Sequence, residues 1–428
     1  MIEQALRRLY TYCRERDWKG WDPYDGLNSR LFQALPFKRW RLWRLAWTQL
    51  FKRSPLNLRR LAGVPGEENP KGLALFARSM VHLQQAKCDW IEPDDVSHLF
   101  ARLERLRSPG YEPWCWGYNF DWQGRAFFAR RFAPNAVATV FAAHAFLDRY
   151  EAGGDAGDLE KARSACAFIL GSLYRPGHLR NGAAPASSPA IGARSSQIVQ
   201  AKMPALWPRE EADQQNGVVP PQSEEVCFSY TPHDDTQVHN VNFLIAALLA
   251  RVSAAADEPS LADWAHRALA FSVARQADDG SWSYGTAPYQ KWVDHFHTCY
   301  NLLALEECWH WLRTDVYDEA IERGLTFYLD HLFRNDGLPR PDTQALFPID
   351  IHAVALALIT LERFADRRRD CRALREKIVE WALGEMQDRE GFFYYQKRAH
   401  SMVRIPYMRW SQAWMFYALS QSIVPARL

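Results

Sequence analysis

The feature that most constrains this chain is a recurrence of helical stretches that are apolar on every side. "VHNVNFLIAALLARV" (238–252), "FHTCYNLLALEECWHWL" (296–312), "IHAVALALITLERF" (351–364) and "YMRWSQAWMFYALSQ" (407–421) begin roughly 55 residues apart, the length of a stacked helix-pair repeat, and "PNAVATVFAAHAFLDRY" (134–150) is of the same kind. A helix without a polar face is buried all round. Between these stretches lie helices with charged faces, "DLEKARSACAFILGSLY" (158–174), "LADWAHRALAFSVARQ" (261–276), "DEAIERGLTFYLDHLF" (318–333) and "CRALREKIVEWALGEMQ" (371–387). The alternation predicts an inner layer of helices wrapped by an outer one.

Glycine turns follow the outer helices, as "QADDGSW" (276–282), "RNDGLP" (334–339) and "QDREGFF" (387–393), and glycine supplies the left-handed stop such ends require. Residues 70–85 and 94–107 add a further pair, and residues 2–16 supply an outer partner for the last inner helix, which makes six inner and six outer helices. The expected class is therefore all-α, a closed (α/α)6 toroid, with an open helical solenoid as the alternative because the N-terminal third is irregular. Residues 1–66 are expected as an N-terminal helix and an irregular basic and aromatic segment packed on the toroid of 67–428. Within the toroid, 175–230 is rich in Gly, Ala, Ser and Pro without a sustained period, which reads as a lid or flexible insertion.

Composition narrows the function classes. The 428 residues are 48% hydrophobic, enough for a large core. With 52 basic and 50 acidic side chains there is no global field of the kind a nucleic-acid protein carries. The arginine-rich N-terminus does not read as a signal peptide, and no uncharged apolar run reaches the length of a membrane span, so a soluble cytoplasmic protein is expected. Eight cysteines lack any CxxC pair and are expected as reduced core residues. No metal site or cofactor is expected.

Polar residues gather where the inner helices start: Asn135; His239, Asn240 and Asn242; Asp294, His295, His297 and Tyr300; Asp350 and His352; Tyr407, Arg409 and Trp410. In a toroid those starts surround one mouth, and their backbone amides favour bound anions. Asp294 and Asp350 also suit the capping of free amides. The candidate catalytic residues are His297, Tyr300, His239, Asp294, Asp350 and His352; neutral imidazoles suit proton transfer near neutral pH, and the equivalent repeat positions of the three histidines would let them converge across the barrel. The loop at 113–135 contributes Trp116, Tyr118, Asp121, Trp122, Gln123 and Arg125, which with Asn240, Arg409 and Trp410 form the expected substrate contacts. Aromatic faces beside planar amides, carboxylates and guanidinium groups suit a sugar. Residues 37–53 set Trp40, Trp43, Trp47 and Leu50 on one helical stripe among Lys38, Arg39, Arg41, Arg44, Lys52 and Arg53. That helix either packs on the toroid with solvated basic residues or touches an anionic membrane face, where lipid-linked sugars are made.

Two resemblances bear on function. "QADDGSW" resembles the glutamine-tryptophan motif of squalene cyclase and prenyltransferase toroids. "GWDPYDGLNS" (20–29), "CWGYNFDWQGRAFFARRFAPNAVATVF" (115–141), "CFSYTPHDDTQVHN" (227–240) and "VDHFHTCYNLLAL" (293–305) are similar to a bacterial group found among polysaccharide-biosynthesis proteins, whose toroid is similar to those of glucuronyl C5-epimerases, polysaccharide lyases and unsaturated glucuronyl hydrolases. The first resemblance lacks its chemistry: Pro232 stands where a DxDD acid motif would begin, and no DxC zinc pair occurs. The second implies an oligosaccharide or polysaccharide partner, free or lipid-linked. The leading expectation is proton-abstraction chemistry, as an epimerase or lyase, on an anionic sugar residue. Its alternatives are a two-carboxylate glycoside hydrolase using Asp294 and Asp350 and a non-catalytic glycan-binding component; a terpenoid cyclase is disfavoured.

Overall fold

The computed structural model describes residues 1–124, 127–175 and 225–424. Of the expected insertion at 175–230 only the ends are included, so its role as a lid lies outside the described residues. In chain order the helices begin with α1 (Ile2–Glu15), followed by three in the irregular segment, α2 (Arg30–Ala34), α3 (Arg41–Arg53) and α4 (Arg59–Ala62). Then come the pairs α5 (Pro70–Gln85) with α6 (Pro93–Arg105), α7 (Ala136–Glu151) with α8 (Ala156–Phe168), α9 (His239–Ala256) with α10 (Pro259–Val273), α11 (His295–Leu312) with α12 (Asp318–His331), and α13 (Ile351–Arg363) with α14 (Asp370–Trp381). The last inner helix, α15 (Trp414–Ile423), is entered through a π-helical turn at Met408–Ala413.

The inner helices α5, α7, α9, α11, α13 and α15 pack each on the next, and α15 returns to α5. That contact closes the ring and removes the solenoid alternative. The first helix, α1, packs on α15 as the sixth outer helix. The glycine turns show how the repeat is kept in register. Gln276 Nε2 donates to the Gly280 carbonyl inside its own turn and to Ala320 O of α12, both at 2.9 Å. Gln387 Nε2 does the same to Gly391 O and to Ala5 O of α1, again at 2.9 Å. The chain's first helix thus stands to α14 as α12 stands to α10. Gly391 has φ +99°, and a Cβ there would meet Arg8 O at 2.5 Å, so the turn needs glycine both for its backbone and for its approach to α1.

The C-terminal halves of the inner helices are locked by buried ions. Asp148 of α7 accepts from Arg78 of α5 at 2.7 Å and Arg251 of α9 at 2.6 Å, and Arg251 also pairs with Glu151 at 2.7 Å. The α9 helix is apolar enough and, at 18 residues, long enough to cross a membrane, but here it is an inner stave of the ring. All eight cysteines are free thiols, and every one except Cys88 is buried.

Short antiparallel strands decorate the opposite end, β1 (Trp122–Gln123) with β2 (Phe128–Ala129), and β3 (Ile349–Asp350), β4 (Gln396–Lys397) and β5 (Met402–Val403). The segment at 18–66 packs there too. Its anchor is Arg59, fully buried, whose Nε reaches Asp25 at 2.7 Å and whose Nη2 reaches Asp22 O at 2.7 Å. The expected single stripe on 37–53 is corrected: Trp43 and Trp47 turn inward, with Trp47 Nε1 donating to Gly26 O at 3.0 Å, while Trp40 and Leu50 stay exposed. The helix starts only at Arg41, so Trp40 precedes it and leaves the stripe.

Candidate functional site

Where the six inner helices begin, the ring opens into a cavity of about 1130 Å³. Each inner stave delivers residues to it from its first turns or its approach: Lys71 from α5, Val137 from α7, Asn240 and Leu244 from α9, Phe296, His297 and Tyr300 from α11, His352 from α13, and Arg409 and Trp410 from the turn before α15. The polar starts have a local job as well. Asn69 accepts from the amides of Lys71 and Gly72, Asn135 from Ala138, Asp294 from His297 and Asp350 from His352, so four of the starts carry side-chain caps. A cap fixes the first turn, and the first turn aims the next polar side chain into the cavity.

Two imidazoles flank one phenol. The Tyr300 ring centroid lies 6.5 Å from that of His297 and 6.2 Å from that of His352. His297 Nδ1 sits 2.7 and 2.8 Å from the two oxygens of Asp294. Because a carboxylate takes the Nδ1 hydrogen, Nε2 is left as a proton acceptor. Burial pushes the Asp294 carboxyl up, but electrostatic attraction to His297, followed by hydrogen bonds from His297 and Trp292, outweighs it and holds the group below its ordinary value.

On the other side Tyr300 Oη is 2.9 Å from His352 Nε2 and 3.3 Å from Lys71 Nζ. His352 Nδ1 is buried with no partner among the described residues. An orphaned lone pair is easier to tolerate than an orphaned N–H, so the network assigns the hydrogen to Nε2. Tyr300 oxygen then accepts from both His352 and Lys71, and its own O–H is left for a third partner. Burial, aided by Lys71 and Arg409, pushes His352 well below its ordinary pKa and keeps it neutral. Burial likewise raises the Tyr300 phenol.

Lys71 is the anomaly of the site. It is 3% exposed, lies over the rings of Phe141 (4.2 Å), Trp414 (5.0 Å) and Tyr300 (5.1 Å), and meets no carboxylate within pairing distance among the described residues. Burial and then the charge of Arg409 push its pKa well below the usual lysine value. The guanidinium of Arg409 is otherwise engaged, with Nε and Nη2 at 2.6 and 2.8 Å from the two oxygens of Asp22.

Asp350 accepts from Gln396 Nε2 at 2.8 Å, Trp410 Nε1 at 2.9 Å and the His352 amide at 2.9 Å. The strand register of β3 and β4 puts Asp350 opposite Gln396. Burial outweighs these bonds and raises the carboxyl to about 6. The walls are aromatic: Tyr24 stands edge-on to Trp122 and Trp410, and Tyr284 stacks on Trp292 at 4.6 Å and 14°. Lys52 Nζ donates to Tyr24 Oη at 2.8 Å. The side-chain oxygen of Asn240 is buried without a hydrogen-bond partner among the described residues.

Of the residues expected to act, His297, Tyr300, Asp294, Asp350, His352, Tyr118, Trp122, Gln123, Asn240, Arg409 and Trp410 all line this cavity. Three do not. His239 lies between layers, its Nδ1 3.3 Å from Ser272 Oγ of α10, because as the first residue of its helix it points outward where His352 points in. The three histidines therefore do not converge. Trp116 is a core anchor, stacked on Phe146 with Nε1 donating to Leu103 O at 2.7 Å. Asp121 accepts from the Arg131 amide at 2.9 Å and holds its own loop. Arg125 lies outside the described residues. The aspartate of "TPHDDT" is likewise local, since Asp234 accepts from Thr231 and Thr236. Sequence reasoning missed Lys71, Tyr230, Tyr284, Phe296 and Gln396 as wall residues. Lys71 had a usable signal, a lysine in the first turn of an otherwise apolar helix.

No family model matches the chain, and neither does any curated protein. Solved structures do. A cellobiose 2-epimerase from Bacillus thermoamylovorans B4167 superposes with a TM-score of 0.58 at 7% identity, covering 84% of this chain and 90% of that one. A sugar epimerase from a ruminal bacterium gives 0.58 at 11% identity over 86% and 91%. An unsaturated glucuronyl hydrolase specific for heparin gives 0.59 at 9% identity over 99% and 96%. At these identities the likeness is one of fold, and it establishes the α/α toroid.

Proposed function

We propose that this chain is a carbohydrate-active enzyme that moves a proton on the sugar carbon beside a carboxylate, as an epimerase or lyase of polysaccharide assembly. The observation that carries the reading is the pair of imidazoles flanking Tyr300 in one aromatic-walled cavity, one backed by Asp294 and the other hydrogen-bonded to the phenol. In this reading His297 Nε2 takes the carbon-bound proton. Tyr300 O–H supplies a proton from its own side, to the carbon in epimerisation or to the departing glycosidic oxygen in elimination.

The anionic substrate is supported by Lys71. A buried amine with no carboxylate partner among the described residues is costly to charge, and an arriving carboxylate supplies that partner, while the charged amine stabilises charge that develops on the carboxylate as the proton leaves. The neighbouring folds are compatible, since those proteins are named as acting on sugars by epimerisation or on unsaturated glucuronyl groups.

A second reading rests on a separate observation. Asp350 is raised to about 6 while Asp294 is held low, and two carboxyls pushed apart in this way can serve as acid and base in glycoside hydrolysis. One experiment separates the two. The purified protein is incubated in deuterated water with uronic-acid oligosaccharides and followed by NMR and by absorbance of unsaturated product. Deuterium beside the carboxylate is the expected result; chains that shorten without exchange transfer the assignment to the hydrolase, and binding without change defeats both.

A further inference from the structure

The segment that forms one wall of the cavity also carries a surface unlike the rest of the molecule. Among the described residues twelve large apolar side chains are exposed, and seven of them fall between Leu31 and Leu61. Trp40 is 64% exposed, Leu42 78% and Leu61 87%. On α3, Leu42, Ala46 and Leu50 are all exposed at a spacing of four, which stacks them as one stripe. Its inward face is apolar too, through Trp43, Trp47 and Phe51. A helix on the surface of a protein bathed only in water presents a polar face outward; this one sets an apolar stripe there, beside exposed Arg41, Gln49 and Arg53.

The charge is equally one-sided. From Gly26 to Gly66 there are nine lysines and arginines and no aspartate or glutamate, in a chain whose totals are 52 basic and 50 acidic. Six of the nine are exposed: Arg30, Lys38, Arg39, Arg41, Arg53 and Arg60. Exposed aromatic and leucine side chains interleaved with cations, in a segment without carboxylates, match the interfacial layer of a bilayer, where apolar groups enter the acyl boundary and cations meet anionic headgroups. A protein partner would need an acidic surface with an apolar centre; the bilayer offers both chemistries together.

We propose that residues 30–61 dock this protein on an anionic membrane surface. Because Leu45, Thr48, Gln49, Lys52 and Arg53 of the same α3 line the cavity, docking sets the cavity mouth beside the headgroups, where a glycan carried on a lipid is presented. Docking of this kind is independent of which reaction the cavity performs.

The test is co-sedimentation of the full chain with phosphatidylcholine vesicles and with vesicles that also contain phosphatidylglycerol. The expected result is pelleting with the anionic vesicles and weaker partitioning as salt is raised. The variant pair Leu42→Gln/Leu50→Gln lowers partitioning, and Lys38→Glu/Arg39→Glu lowers it by about fivefold for each cation removed. All four positions are exposed and outside the cavity wall, and thermal unfolding checks that the variants are folded. Absence of anionic-vesicle binding, or binding indifferent to salt and to both variants, overturns the proposal. So does concentration-dependent self-association abolished by Leu42→Gln/Leu50→Gln without vesicle binding, which would make this face an interface between copies.

Discussion

At the scale of single residues the site is governed by what burial does to groups lacking a full set of partners. Tyr300 joins Lys71 and His352 through one oxygen. Tyr300→Phe removes that acceptor and leaves two buried donors unsatisfied, at roughly 1–3 kcal/mol each, yet the inner helix keeps its apolar packing. The expected outcome is a folded protein by circular dichroism with turnover lowered by about 10²- to 10⁴-fold. His297→Ala should lower turnover comparably, and loss of folding in both variants would return these residues to the core. Lys71 makes the opposite trade. Lys71→Met removes a buried amine with no carboxylate partner among the described residues, so the melting temperature should rise, while affinity for a uronate ligand measured by calorimetry falls by about ten- to a hundredfold. A variant that binds uronate as well as the parent would remove Lys71 from the substrate's carboxylate.

At the scale of elements, capping and function coincide and can be pulled apart. Asp294 caps α11 and also orders His297. Asn caps a helix about as well as Asp, so Asp294→Asn should unfold within about 0.5 kcal/mol of the parent in denaturant while losing turnover, whereas Asp294→Ala adds about 1 kcal/mol of destabilisation from the lost cap. Equal stability losses in the two variants would mean that the charge, not the cap, holds the helix start. The turns between elements are legible in the amino-acid sequence, because "QADDG" and "QDREG" encode the same left-handed glycine and the same glutamine two-point clamp. What those turns clamp is not legible there: α12 in one case and the N-terminal helix in the other. His239 shows the limit in the other direction. Position in the repeat equates it with His352, but one is the first residue of its helix and the other the second, and about 100° of rotation sends the first outward.

At the scale of the whole molecule the ring buries imidazoles in neutral form, and this ties stability to pH. His239 and His295 have folded pKa values of about 4 against an ordinary 6.5, both because of burial. Between those values the unfolded chain holds more protons, so stability is fully present above about pH 6.5 and falls as pH drops toward 4. Each imidazole contributes a slope of about 1.4 kcal/mol per pH unit inside that window. Asp25 and Asp350, raised by burial to about 7 and about 6, work the other way below those values, against four buried imidazoles, since His144 and His352 are also pushed below their ordinary value. Denaturant melts from pH 7 to 4.5 should show the loss, and His239→Gln should flatten it; an unchanged slope would mean that His239 does not titrate on unfolding. The amino-acid sequence by itself determined the two layers, the number of staves, the turn chemistry and the clustering of polar residues at the inner helix starts, since each follows from periodicity and from residue types a few positions apart. Only the tertiary structure decided which of those polar residues share a cavity, that Arg409 is spent on Asp22 while Lys71 has no carboxylate partner among the described residues, and that α3 has an apolar stripe on both sides. The reason is physical: capping and periodicity act over a few residues of chain, whereas pairing and burial depend on groups hundreds of residues apart that meet only when the ring closes.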